Sequence, residues 1–371
     1  MRILLVTDAW KPQVNGVVRT LQATSDTLKQ MGHEVNILSP AGRRTLPCPS
    51  YPEIRLTLRP GKAVRQTMTH GPFDAIHIAT EGPLGLAARN WCVRNAMPFT
   101  TSYHTRFPEY VRLRAPVPLS WSYAYLRWYH RPAARTLVRT ETQRQLLRER
   151  GFNNLAIWPG GVDTQLFRPR ERDYLQLPRP IAMYAGRVAS EKNLDAFLDL
   201  DVNGSKVIIG EGPDLERLKA RYSSAHFLGY RHGNDLARCL AASDVFVFPS
   251  RTDTLGLVML EAMACGVPVA AYPVPGPMDL ITDGANGALD VDLTAAFFRA
   301  LSVDSTACVE FAERFSWERC TERFLKHLRP VDSLQQAEAL PHSDAIQAPY
   351  NLKPCASAHP DRNTESIALS S

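Results

Sequence analysis

No run in the sequence approaches the roughly 20 consecutive apolar residues needed to cross a bilayer, which excludes a polytopic membrane protein. Cysteine is sparse: seven among 371 residues, an odd number, far apart and with no C-x-x-C pair. That argues against a disulfide framework and against a zinc site. No G-x-G-x-x-G follows a predicted strand, so a nicotinamide dehydrogenase has little support. Charge of one sign is also lacking, the net figure being only +6. With 44% apolar and 22% charged residues the composition is that of an ordinary globular protein, neither collagen-like nor disordered. The N-terminal apolar run stops at Thr7-Asp8, too early for the apolar region of a secretory signal. A cytoplasmic setting is therefore expected.

What is present is an alternation of short apolar runs and amphipathic stretches. Strands are expected at 3–7, 35–38, 75–79, 99–103, 136–139 and 155–158, with helices at 17–31, 84–95, 120–131 and 141–150 between them. Runs apolar throughout suit parallel strands buried on both faces. A stretch with Gly160, Gly161, Pro169, Pro178 and Pro180 breaks the rhythm. A second series then follows, with strands at 181–185, 206–209, 226–228, 245–248 and 267–271, helices at 193–200, 213–222, 234–242 and 257–265, and closing helices at 306–314 and 318–328. The expected architecture is α/β, with two doubly wound, Rossmann-like domains facing across a cleft. The boundaries are 1–160, a linker at 161–180, 181–316, and a Ser-, Ala- and Pro-rich tail at 330–371 that is expected to be disordered.

In such sheets ligands bind beyond the carboxyl ends of the strands. The residues there are the candidates. Asn15-Gly16 opens a helix after the first strand, where free amides suit a phosphate, although a plain turn suits it too. His104 follows the fourth strand and can hydrogen-bond a sugar or carry a proton. Arg187 and Lys192 lie across a strand-to-helix turn, within reach of one diphosphate. Gly210-Glu211-Gly212-Pro213 makes a tight turn. The densest segment is 248–270: Asp253 in a polar loop, then Gly256, Leu257 and Val258 with unpaired first-turn amides, then Glu261 on the helix.

Taken together these pieces, with Asn15-Gly16-Val17 and Gly160–Phe167, resemble the retaining glycosyltransferases of GT-B fold over residues 1–328. The group includes bacterial α-mannosyltransferases and sulfoquinovosyl transferases. Thr7–Trp10, Ile76–Pro83 and Thr101–Tyr110 resemble more closely the bacterial enzymes that glycosylate diacylglycerol. The resemblance implies that Arg187 and Lys192 clamp the diphosphate of a nucleotide-sugar. Glu261 would hold the ribose, Gly256, Leu257 and Val258 would donate amides, and Gly16 would let its loop approach the phosphate. His104 would touch the transferred sugar, and Glu211 belongs to the donor half. Asp253 replaces the first Glu of the family's E-x7-E pattern, one methylene shorter. No cofactor and no metal is implied, and helix 317–328 is expected to cross back to the first domain. The donor is expected to be a UDP-sugar, with a GDP-mannose-dependent mannosyltransferase as the alternative. A non-catalytic nucleotide-sugar-binding protein is the reading from another class.

The charge is unevenly spread. Residues 1–180 hold 26 Lys and Arg against 12 Asp and Glu, whereas 181–330 hold 15 against 20. Within the first half Arg106, Arg127 and Arg131 interleave with Trp121 and Trp128. Aromatics beside arginines suit an anionic membrane surface and a lipid acceptor, and place the protein peripherally at the inner face of the cell membrane. A core stripe with a solvated basic face fits the same spacing. No nucleic-acid motif accompanies it.

Overall fold

The computed structural model describes residues 1–331 except 14, 49–50, 105–107, 109–111, 113–116 and 254, and omits the side chains of 48 and 51–54. The tail expected from 330 onward, and Arg106, therefore lie outside the described residues, apart from Pro330 and Val331.

The first apolar run forms β1 (Arg2–Val6), in which Ile3, Leu4, Leu5 and Val6 are at most 1% exposed. It pairs in parallel with β2 (Glu34–Leu38) on one side and β5 (Ala75–Ile78) on the other, so that Leu5 faces both Ile37 and His77. β6 (Thr100–Ser102), β7 (Arg135–Val138) and β8 (Leu155–Ile157) extend the sheet in parallel, in the order β2-β1-β5-β6-β7-β8. A separate antiparallel hairpin, β3 (Thr45–Cys48) and β4 (Tyr51–Thr57), was not expected. Pro47 and Pro52 read as strand breakers, and only an edge ribbon outside the main ladder tolerates them.

Helices α1 (Gly16–Gln30), α2 (Pro60–Met68), α3 (Pro83–Arg94), α4 (Leu119–His130) and α5 (Glu141–Glu149) cover this sheet. Asn15 caps α1, its side-chain oxygen accepting from the amides of Val17 and Val18 at 3.0 Å each. The unexpected α2 begins with Pro60, a residue that reads as a breaker but suits the first helical position.

The second sheet comprises β9 (Ile181–Ala185), β10 (Ser205–Ile209), β11 (His226–Phe227), β12 (Val245–Phe248), β13 (Val269–Ala271) and β14 (Gly287–Leu289). Its order, β11-β10-β9-β12-β13-β14, reverses between β9 and β12, the arrangement that opens a crevice in doubly wound folds. Around it lie α6 (Leu194–Leu198), α7 (Leu215–Arg221), α8 (Gly233–Ala242), α9 (Leu257–Ala264), α10 (Pro277–Leu280), α11 (Leu293–Ala300) and α12 (Ser305–Glu313). The expected helix at 193–200 is shortened to Leu194–Leu198. A 3-10 turn, Ser190–Lys192, runs into Asn193 at φ 55°, and only then does α6 begin. β13 starts two residues later than expected because Pro268 has no N–H to give a ladder.

The last helix, α13 (Trp317–His327), returns to the first sheet. Phe324 and Leu328 share one core cluster with Ile3, Leu5 and Trp158. Burying side chains of this size contributes about 1.5–3 kcal/mol each, enough to hold the crossing helix. All five described free cysteines, Cys92, Cys239, Cys265, Cys308 and Cys320, are buried.

Candidate functional site

Two crevices exist, one at each reversal of strand order. In the first sheet the loops after β1 and β5 part at this point. Asp8 fills the gap: its carboxylate accepts from the amides of Leu84 at 2.8 Å and Gly85 at 3.2 Å and from the Thr80 hydroxyl at 2.9 Å. Asp8 thus caps α3 across 76 positions of sequence. Burial pushes its carboxyl above the usual range despite these bonds. The Thr7–Trp10 and Ile76–Pro83 segments therefore meet, and they meet to close the crevice.

At the β9/β12 reversal no such plug is found among the described residues. The loop after β9 brings Lys192, and the loop after β12 brings Asp253; Nζ lies 2.6 Å from Oδ1. Asn193 donates to the Pro249 carbonyl at 3.1 Å and fastens the two loops together. Helix α9 starts beside them with Gly256 at φ 75°, no capping side chain and no acidic residue in its first turn. A Cβ at Gly256 would lie 2.8 Å from the Phe248 ring, so glycine is required by space as well as by backbone conformation. The amides of Leu257 and Val258 thus head a helix with the positive end of its dipole uncompensated by any side chain. Glu261, 3% exposed, lies one turn further on.

Glu261 has a partner that sequence reasoning missed. Arg19 on α1 donates a short hydrogen bond to its Oε1, linking the two halves across 242 positions. A second link joins the Thr142 amide to Asp279 at 3.0 Å. Nothing local to Arg19 marks it: its spacing from Gly16 is that of any exposed helix position.

Arg187 is exposed and in no ion pair among the described residues, free to turn into the crevice. Gly16 lies at the start of α1 with open space where a Cβ would stand. Glu211 is exposed and lies beside Gly229 rather than in the Lys192–Asp253–Glu261 group, to which no described hydrogen bond joins it. Two D-x-D tripeptides occur, Asp199-Leu200-Asp201 and Asp290-Val291-Asp292. Asp199 takes the Tyr222 hydroxyl at 2.7 Å and Asp292 caps α11, so both serve the scaffold. No group of three or more His, Cys, Asp or Glu residues able to hold a metal is found among the described residues.

His104 stands two residues beyond β6 and is buried, with neither ring nitrogen partnered among the described residues. Burial, reinforced by the Arg139 cation and by His77, holds its imidazole well below the ordinary histidine range. It is therefore a neutral ring at pH 7, suited to hydrogen bonding.

The membrane-facing candidates divide. On α4, Trp121, Tyr125 and Trp128 form a stripe at 72%, 39% and 48% exposure, while Tyr123 and Tyr129 are core. Helical phase sorts the aromatics, with the candidates Trp121 and Trp128 both on the exposed side. Arg131 is exposed, but Arg127 donates to the Arg150 carbonyl at 3.0 Å and braces the scaffold. The guanidinium of Arg89 stacks 4.0 Å from the Trp128 ring. Beside Tyr125 an open groove of about 470 Å³ is lined by Pro60, Gly82, Pro83, Leu86 and Ala87, with Glu81 and Asn90 as its polar members. No described helix is long and apolar enough to cross a membrane.

Residues 179–302 match the family described as Glycosyl transferases group 1, and residues 14–166 match Glycosyltransferase Family 4. A GDP-mannose-dependent alpha-mannosyltransferase of Mycobacterium tuberculosis is 31% identical, over 78% of this chain and 83% of that protein. The chain belongs to these glycosyltransferases. Another relative of this glycosyltransferase, the alpha-monoglucosyldiacylglycerol synthase of Streptococcus pneumoniae, is 28% identical over 81% of this chain and 78% of that one. Among solved structures, Anabaena Alr3699/HepE in complex with UDP and glucose superposes with a TM-score of 0.66 at 17% identity, covering 88% of this chain and 98% of that one. That likeness bears out the expected GT-B fold of this glycosyltransferase.

Proposed function

We propose that this glycosyltransferase moves a hexosyl unit from a UDP-sugar to a membrane lipid such as diacylglycerol, with retention at the anomeric carbon and without a metal. The observation that carries the donor half is the open crevice at the β9/β12 reversal, where Lys192, Asp253 and Glu261 surround the uncapped start of α9. In this reading Lys192 and Arg187 neutralise the diphosphate as leaving-group charge builds, and the amides of Leu257 and Val258 add fixed donors. Glu261 takes the ribose hydroxyls, for which Arg19 must first give way. Asp253, released from Lys192 by the phosphate, turns to the hydroxyls of the sugar. His104, as a neutral ring, hydrogen-bonds the sugar, and the donor phosphate accepts the proton of the acceptor hydroxyl.

The lipid acceptor is supported by the exposed Trp121–Tyr125–Trp128 stripe and the mostly apolar groove beside it. Interfacial aromatics next to Arg131 suit peripheral binding at the inner face of an anionic membrane. The relative whose name includes diacylglycerol supports the same reading. A second reading, a GDP-mannose-dependent mannosyltransferase, is favoured by the 31% identical relative. The test is a panel of UDP- and GDP-sugars with diacylglycerol vesicles as acceptor. Glycolipid from a UDP-sugar is the expected product. Turnover confined to GDP-mannose overturns the donor, and transfer only to soluble glycans overturns the acceptor.

A further inference from the structure

Beyond β6, β7 and β8, three consecutive strand ends of the first sheet, lie His104, Arg139 and Trp158. Each is at least nine-tenths buried. Arg139 donates through Nη2 to Thr20 Oγ1 at 2.9 Å, but its Nη1 has no partner among the described residues. The same holds for both ring nitrogens of His104 and for the indole N–H of Trp158. The three groups are neighbours. The guanidinium is 5.4 Å from the Trp158 ring, and the His104 and Trp158 rings are 5.7 Å apart. No carboxylate approaches Arg139 among the described residues, and burial alone takes its guanidinium down to about 10. A buried cation with a free N–H and no counter-charge is costly, and structures that keep one supply an anion from elsewhere.

The position of this cluster says where that anion comes from. A Cβ on Gly160 would lie 3.2 Å from Arg139 Nη1 and 2.3 Å from Leu257 Cδ2. Arg139 Nη1 thus lies close to the leucine that opens α9, the helix where the donor reading above places the leaving phosphate, and Trp158 and His104 stand beside it. We infer that His104, Arg139 and Trp158 form an oxyanion pocket that receives a carboxylate or sulfonate carried on the transferred sugar, making Arg139 a specificity-determining residue for acidic hexosyl donors. This rests on the glycosyltransferase donor site proposed above.

The test uses the purified full chain and calorimetric titration with UDP, UDP-glucose and UDP-glucuronic acid, repeated with GDP, GDP-mannose and GDP-mannuronic acid. The acidic member of one pair should bind about tenfold tighter or more, the gain of one charge-assisted hydrogen bond. Arg139→Met should lose that preference while binding UDP or GDP alone as the parent does, and Arg139→Lys should keep part of it. Because the substitution removes an unpaired buried charge, the Met variant should melt no lower than the parent. If Met fails to fold, the Lys variant carries the comparison: a preference as large as the parent's overturns the pocket. Equal affinity for acidic and neutral donors overturns this inference and leaves the transferase reading intact. Failure to bind either nucleotide overturns both. Inorganic sulfate that stabilises the parent but not the variant, with no donor preference, shows a free-ion site and overturns the sugar assignment.

Discussion

The two strand-order reversals of this molecule begin from the same topology and end differently. At β1/β5 the crevice is closed by Asp8, whose carboxylate caps α3 and is itself bonded to Thr80. At β9/β12 the corresponding helix, α9, is left uncapped, and the nearby carboxylates are paired with cations instead. A capped helix has spent its amides on the protein. An uncapped one offers them to a ligand. The difference teaches that a doubly wound sheet supplies a place for an anion, and that one side chain decides whether the place is used. It also explains the resting ion pairs. Lys192–Asp253 and Arg19–Glu261 hold opposite charges together, so each carboxylate beside this helix has a cation as its partner.

The sharpest way to break this comparison is at the open reversal. Lys192→Ala and Glu261→Ala should each lower transfer by about two to three orders of magnitude, in keeping with lost electrostatic stabilisation of a leaving group. Their melting temperatures should stay near the parent's. Normal initial rates in both would show that the open crevice is not the donor site. Arg19→Ala belongs to the same site with the opposite sign. Freed of its competitor, Glu261 should bind nucleotide more tightly, which calorimetry reads directly.

At the closed reversal the expected effect is on stability. Asp8→Ala strips a buried cap and leaves two amides and a hydroxyl unpaired, for a loss of about 2–4 kcal/mol by urea denaturation. An unchanged unfolding midpoint would mean that Asp8 is no plug.

A smaller effect is expected from pH. His77, held by burial to about 3, and His104, also held low, stay neutral in the folded chain while the unfolded chain takes up their protons below about 6.5. Stability should therefore fall on acidification below pH 6.5, the His77 part approaching about 1.4 kcal/mol per pH unit once the unfolded imidazole is fully protonated, and His104 acting in the same direction. The loss from His77 should be absent in His77→Asn if that variant folds. The smallest effect concerns neither reversal. Trp121→Ser with Trp128→Ser should weaken co-sedimentation with anionic vesicles and leave donor hydrolysis unaltered. Equal sedimentation would remove α4 from the membrane face.

Much of the fold was legible because a parallel strand buried on both faces is a short apolar run bounded by turn residues. The runs at 181–185 and 245–248 became β9 and β12 with unchanged bounds. The hairpin β3/β4 was not legible, since its prolines contradict strand propensity and only an edge position accommodates them. The candidate donor residues were legible where they are local in sequence, as in the loop and first turn of α9. Arg19 and Arg139 were not, because their partners, Glu261 and Thr20, lie on helices far away in sequence.

The sequence by itself determined the periodicities, five of the second sheet's six strands (β14 was missed, with α10 and α11) and the set of charged residues at strand ends. Those properties are set by side-chain type within a few residues of each other. Tertiary structure alone decided which reversal carries a capped helix and which an uncapped one, that Glu261 is held by Arg19, and that Arg139 is buried with an N–H unpartnered among the described residues. The physical reason is the same each time. Hydrogen-bond satisfaction and desolvation depend on what a fold packs against a group, and that neighbour can lie more than a hundred positions away.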